Sequence, residues 1–196
     1  PDDARSPIAQ PLFPVGYGLS YAAPAAVGPV NEDPRMDLAA SRSDERYFAK
    51  GLAVEPWRLG LDAVVSQKAV DLGAQEDARQ FTWTGPGSIA IDGPPVSLTR
   101  QLDQSWVLTF DWRVDARGKG PFAVSMAGAA LDLTGWLASQ PLGTATVTRI
   151  PLSCFAAKGA RFDSVGTPLR LRGDAGLALT LRDVKIEAIG QTFACP

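Results

Sequence analysis

Apolar and polar residues alternate without interruption from Trp106 to Asp115, WVLTFDWRVD. Successive side chains of a β-strand point to opposite faces. Trp106, Leu108, Phe110, Trp112 and Val114 therefore share one face, and Val107, Thr109, Asp111, Arg113 and Asp115 share the other. A strand buried on both sides reads as a continuous apolar run, so this alternation predicts an antiparallel sheet with one dry and one wet face. Full burial contributes roughly 1.5 to 3 kcal/mol for each large side chain, which makes the dry face the expected seed of a sandwich core. The wet face carries a carboxylate, a guanidinium and a second carboxylate, and is read either as solvated surface or as a groove that hydrogen-bonds a polar ligand.

Shorter segments on either side repeat the pattern. From Trp57, the residues Leu59, Leu61, Ala63 and Val65 alternate with Arg58, Gly60, Asp62 and Val64; further strands are expected over 80–84, 88–92, 121–126, 130–134, 144–152, 168–172 and 177–189. Gly85-Pro86-Gly87, Gly93-Pro94-Pro95 and Gly173-Asp174-Ala175-Gly176 punctuate them as turns. The spacing predicts a hairpin-like loop at 116–120 and an irregular loop around Trp136. Strands this short, with turns about every 8 to 12 residues, define a mainly β, antiparallel β-sandwich of the jelly-roll kind.

The first part of the chain differs. Residues 22–34, AAPAAVGPVNEDP, lack periodicity and read as a linker, and 35–47 suggest one short helix. Before them, Leu12 to Tyr21, LFPVGYGLSY, sets aromatics between glycines as a tight turn entering a strand. The expected organisation is an α/β-domain stub over 1–21, a linker over 22–45 and a jelly-roll domain over 46–196. The opening Pro1-Asp2-Asp3-Ala4-Arg5-Ser6 is not a signal peptide, and the chain is expected to begin partway through a longer one.

Composition narrows the chemistry. A net charge of −2 provides no basic field for a phosphate backbone, so nucleic acid is not an expected partner. The absence of histidine removes Ser-His-Asp and Cys-His nucleophiles and imidazole metal sites. Two cysteines cannot form a four-thiolate zinc site, and no stretch has calcium-loop spacing. No metal and no cofactor is expected. No apolar run approaches the ~20 residues of a membrane-spanning helix.

Asp111 and Asp115 stand about 13 Å apart at ~3.3 Å per residue. That exceeds the roughly 5 to 9.5 Å of glycosidase carboxyl pairs, and Arg113 between them opposes a protonated acid. No catalytic residue is assigned. Asp111 and Arg113 are instead candidates for hydrogen-bonding sugar hydroxyls, with a cross-strand ion pair as the alternative. Of the five tryptophans, Trp83, Trp106 and Trp112 are in phase with neighbouring apolar residues and are assigned to the core. Trp57, after a proline, and Trp136, beside a glycine, are the candidates for stacking on a glycan or touching a neighbouring domain. Arg170, Arg172 and Arg182 alternate with leucines and are placed on a wet face, where they are solvated, paired with aspartates, or form a patch that docks the preceding domain.

The segment Phe13-Pro14, Gly16-Tyr17-Gly18-Leu19-Ser20-Tyr21 resembles the sequence that closes the α/β-sandwich domain of family-three glycoside hydrolases, the β-glucosidases and exo-β-glucanases. The succession QEDARQFTW, LTFDWRVD, IPLSCF and PLRLRGDAGLALTLRDVKIE is similar to the extra C-terminal, galactose-binding-like β-sandwich of bacterial exo-1,3/1,4-β-glucanases in that family. The resemblance implies a parent enzyme that removes terminal glucose from β-glucans, with its nucleophile and acid/base residue upstream of this sequence. It implies that this domain either binds β-glucan or glucose oligosaccharide, or braces the upstream catalytic domains of the same chain without glycan affinity. It also implies export to the periplasm or the extracellular space. Cys154 and Cys195 are then either two buried thiols or one disulfide, and export favours the bridge. Closing a loop of about 42 residues would contribute roughly 4 kcal/mol.

Overall fold

The computed structural model describes residues 44–196. The LFPVGYGLSY segment, and with it the expected stub and nearly all of the linker, lies outside the described residues.

Twelve strands and three short helices occur among the described residues. They are β1 (Asp44–Ala49), β2 (Leu52–Ala53), β3 (Arg58–Leu61), β4 (Val65–Val70), β5 (Ala78–Trp83), β6 (Gly87–Asp92), α1 (Thr99–Asp103), β7 (Val107–Ala116), β8 (Ala123–Met126), β9 (Ala129–Asp132), α2 (Thr134–Ser139), β10 (Ala145–Pro151), α3 (Leu152–Ala156), β11 (Leu169–Gly173) and β12 (Ala178–Glu187). A seven-stranded sheet runs β10-β7-β12-β1-β2, with β5 also paired to β12 and β4 to β5; a five-stranded sheet runs β3-β6-β11-β8-β9. Every strand pairing is antiparallel, as the alternation requires.

Local chemistry sets two of the hairpins. Lys50-Gly51 joins β1 to β2 and Ala127-Gly128 joins β8 to β9, each pair with φ between +51° and +87°. Two consecutive left-handed residues make the primed turn whose twist matches that of the flanking strands, and glycine takes the second position without strain. At Gly51 there is a second reason: a Cβ would stand 2.8 Å from the backbone of Ala78.

The core lies between the sheets. Leu108, Phe110, Trp112 and Val114 are almost completely buried, as are Leu179, Leu181, Val184 and Ile186 of β12 opposite them. Trp83 and Trp106 are buried as well.

Four sequence-based expectations change. Residues 44–47, expected to end a helix, lie in β1, because Asp44, Glu45 and Arg46 pair with Glu187, Ile186 and Lys185. The 116–120 loop is no hairpin: β7 and β8 belong to different sheets, so it carries the chain across the sandwich. Trp136 sits in α2 rather than in a loop. Asp132 accepts hydrogen bonds from the backbone N–H (2.9 Å) and hydroxyl (2.6 Å) of Thr134 and so fixes the start of that turn of helix. The wet face of β7 is not open surface either, since Thr109 is 4% exposed and Asp111 9%.

Candidate functional site

The outer face of the seven-stranded sheet is assembled by register. Val147 on β10 and Asp183 on β12 both lie opposite Asp111, and Arg149 and Lys185 both lie opposite Thr109. Opposed residues of antiparallel strands share a face, so two transverse rows form, each three strands wide: Val147–Asp111–Asp183 and Arg149–Thr109–Lys185. With Glu187 these residues line a groove of about 210 Å³. A bulge between Leu181 and Asp183 adds Arg182 to the outward face, where one residue would otherwise oppose Asp111.

Each carboxylate along the groove faces a cation. Arg182 donates to Asp111 and lies 3.9 Å from Asp183 and 3.8 Å from Asp77. Burial lowers the Arg182 pKa, but its hydrogen bond to Asp111 and the charges of Asp111, Asp183 and Asp77 outweigh this and raise it. Glu187 accepts from the Thr109 hydroxyl at 2.8 Å and stands 2.5 Å from Lys185 Nζ and 3.9 Å from Arg149 Nε. The groove thus mixes hydrogen-bond donors and acceptors without one dominant sign.

A second cleft, of about 300 Å³, lies at the free edge of β10. Trp136, Gln140, Phe193 and β10 residues Thr146, Val147, Thr148 and Arg149 line it. Its indole wall is built from below. Trp112 points into the core and donates its Nε1–H to Thr148 Oγ1 at 2.8 Å, and Trp136 lies flat on it. Phe193 stands on the C-terminal tail with the Arg149 guanidinium 6.0 Å from its ring centre. Val147, 48% exposed, and Arg149 line both concavities, so the aromatic cleft and the polar groove adjoin along β10.

Two of the four sequence candidates meet here: Trp136 in the cleft and Asp111 in the groove. The other two do not. Trp57 is 8% exposed, edge-on to Tyr47 with ring centres 4.9 Å apart. Gly93 lies so close beneath its ring that a methyl there would collide with the indole. Burial accounts for Trp57, and it has no open face to offer a sugar. Arg113 bonds Asp115 at 2.5 Å rather than Asp111, within a cluster where Thr180 and Gln80 also donate to Asp115. Residues two apart on a strand share a face, and the sequence could not say which carboxylate Arg113 would take.

Sequence reasoning passed over Thr109, Arg149, Lys185, Glu187 and Phe193 as site residues. The four strand residues depend on cross-strand register, and Phe193 on a tail without periodicity. Cys154 and Cys195 are bridged, with Cα atoms 5.6 Å apart. Among the described residues no cluster of three or more His, Cys, Asp or Glu side chains is placed to hold a metal ion, and no helix is long and apolar enough to cross a membrane.

Two antiparallel sheets around one apolar core, with a shallow depression on one sheet face, define a galactose-binding-like β-sandwich of the kind found in carbohydrate-binding modules. The family model Exop_C, described as galactose-binding domain-like, matches residues 57–186, and the chain belongs to that family. The fold is similar to the extra C-terminal domain of the exo-1,3/1,4-β-glucanase of a Pseudoalteromonas species, at 18% identity over 73% of this chain and 91% of that domain, with a TM-score of 0.57. Against the structure of the glucanase itself, identity is 16% and the TM-score 0.61 over 79% of this chain, which spans 22% of the enzyme's length. A family 11 carbohydrate-binding module from Clostridium thermocellum, solved with a β-1,3-1,4-mixed-linked tetrasaccharide, matches at 11% identity over 78% of this chain and all of the module, with a TM-score of 0.53. A sequence search of the curated proteins finds no match.

Proposed function

We propose that this chain is a non-catalytic β-glucan-binding domain of an exported family-three glycoside hydrolase, and that glucan lies in the depression running from Trp136 to Asp111. One observation carries this reading: the aromatic cleft and the polar groove adjoin, with Val147 and Arg149 lining both. Pyranose rings present C–H faces to aromatic and apolar walls and hydroxyls to paired donors and acceptors. The cleft supplies Trp136, Phe193 and Val147 for the first, and the groove supplies Asp111, Thr109, Asp183 and Glu187 for the second. The balance of charge suits a neutral, hydroxyl-rich polymer. The glucanase domain and the tetrasaccharide-binding module of the same fold support the choice of β-glucan. The bridge between Cys154 and Cys195 fits a periplasmic or extracellular protein. The upstream catalytic domains of the parent chain are the proposed covalent partner.

Native affinity electrophoresis in gels containing laminarin, mixed-linkage β-glucan or soluble cellulose tests the reading. Selective retardation by at least one glucan is expected, with Trp136→Ala and Asp111→Asn each reducing it. Equal mobility in every gel overturns the proposal.

A further inference from the structure

The last strand ends at Glu187, and the chain beyond it forms no regular element. Over 190–196 every residue is exposed except Phe193, which is half-buried. Phe193 does not belong to the core cluster; it packs instead at the β10 edge, beneath Arg149 and lining the same cleft as Trp136. Two residues later Cys195 is bridged to Cys154, which is 2% exposed in α3, the helix that follows β10 directly. The tail is therefore fastened at both ends, by β12 and by the disulfide. The aromatic it carries faces a cleft rather than filling the core.

Resting on the glucan-binding reading above, we infer that Phe193 is a second sugar-contacting aromatic of the site, and that the Cys154–Cys195 bridge is a positioning device that holds it there. An exposed segment outside regular structure samples many conformations, and an aromatic on it contacts a ligand productively only if that freedom is removed beforehand. The bridge removes it at two residues' distance, and the cation–π contact with Arg149 orients the ring. The sugar ring then meets aromatic surface from α2 on one side and from the tail on another. The cleft accordingly exists in full only in the oxidised protein.

The test compares wild type, Phe193→Ala, Phe193→Tyr and the double variant C154A/C195A by two readouts. The first is affinity electrophoresis in the glucan that retards the wild type. Phe193→Ala and C154A/C195A are each expected to weaken binding about two- to tenfold, the range of one aromatic contact; Phe193→Tyr retains it. The second readout needs no glucan. Trp136 is the one tryptophan that is more than slightly exposed, so acrylamide quenching, referenced to Trp136→Phe, reports its shielding. Quenching is expected to rise in both Phe193→Ala and C154A/C195A. Unchanged quenching in both, or wild-type retardation of Phe193→Ala, overturns the inference while leaving glucan binding intact. Failure of the wild type to be retarded by any glucan overturns the binding reading and the sugar contact together. Because Phe193→Ala keeps the disulfide and leaves the core untouched, it separates the tail's role in binding from any loss of stability on removing the bridge.

Discussion

The indole of Trp136 lies parallel to that of Trp112, with planes 2° apart and ring centres 5.3 Å from one another. A fully buried core side chain thus serves as the support for a half-exposed one. Trp112 is fixed in turn by Thr148 of β10 and by Phe122, stacked at 5.8 Å on the ring. Replacing Trp136 with alanine is expected to abolish most glucan retardation while costing about 1 kcal/mol of stability from the lost stack. Urea unfolding beside the affinity gel separates the two effects. A variant that loses stability but keeps full retardation would remove Trp136 from the site.

Arg182 stands as a shared cation among Asp111, Asp183 and Asp77. Its replacement by alanine leaves three carboxylates facing one another without that counter-charge. Because the side chain is about a third exposed, solvent screens part of the effect, and a loss of about 1 to 2 kcal/mol is expected in urea unfolding. Adding Asp111→Asn to Arg182→Ala is expected to recover part of the loss, since it removes one of the repelling charges. A double variant as destabilised as the sum of the two singles would show that the pair does not couple.

The same two residues mark how far the sequence can be read. Alternation along 106–115 is enough to assign a dry and a wet face, because period-two patterning is a property of one strand. It places Leu108, Phe110 and Trp112 in the core and Asp111 outside it, and it implies the antiparallel sandwich. Pairing Asp111 with Arg182 needs the register between β7 and β12 and a bulge, neither of which is local to either strand. For the same reason Arg113 finds Asp115 instead. Trp57 and Trp136 look alike in sequence, each beside a helix- or strand-breaking residue. Packing against Tyr47 and Gly93 separates them.

The hydroxyl of Tyr47 is buried beside Glu45 and makes no hydrogen bond of ordinary geometry among the described residues, while its ring packs edge-on against Trp57. Burial, then the negative charge of Glu45 and the pull of that carboxylate on the hydroxyl proton, drive its pKa far above the usual phenol value, so the group stays protonated. A buried donor without a well-formed bond carries a desolvation cost with little compensation, whereas the ring contributes packing in either case. Tyr47→Phe is therefore expected to leave the melting temperature unchanged or to raise stability by up to about 1 kcal/mol. A clear fall in melting temperature would reveal a bond made by the hydroxyl.

Part of the acid sensitivity should trace to Asp77. Burial alone would raise the pKa of its carboxyl. The backbone N–H groups of Leu72, at 2.7 Å, and of Gly73, at 3.0 and 3.1 Å, together with that of Ala74 and the charge of Arg182, outweigh burial and hold it below the ordinary value. A carboxyl with a folded pKa below its unfolded one binds fewer protons when folded. Its contribution is then complete above the unfolded value, about 3.9, and is lost as pH falls through the folded value. Asp77→Asn keeps one acceptor oxygen but cannot titrate. The variant is expected to melt lower than wild type at pH 7 and to converge on it as the pH falls below about 4. Melting curves from about pH 7 down to about pH 3 check this, spanning the carboxylate range, and a constant difference between the two proteins across that range would place the acid-sensitive group elsewhere.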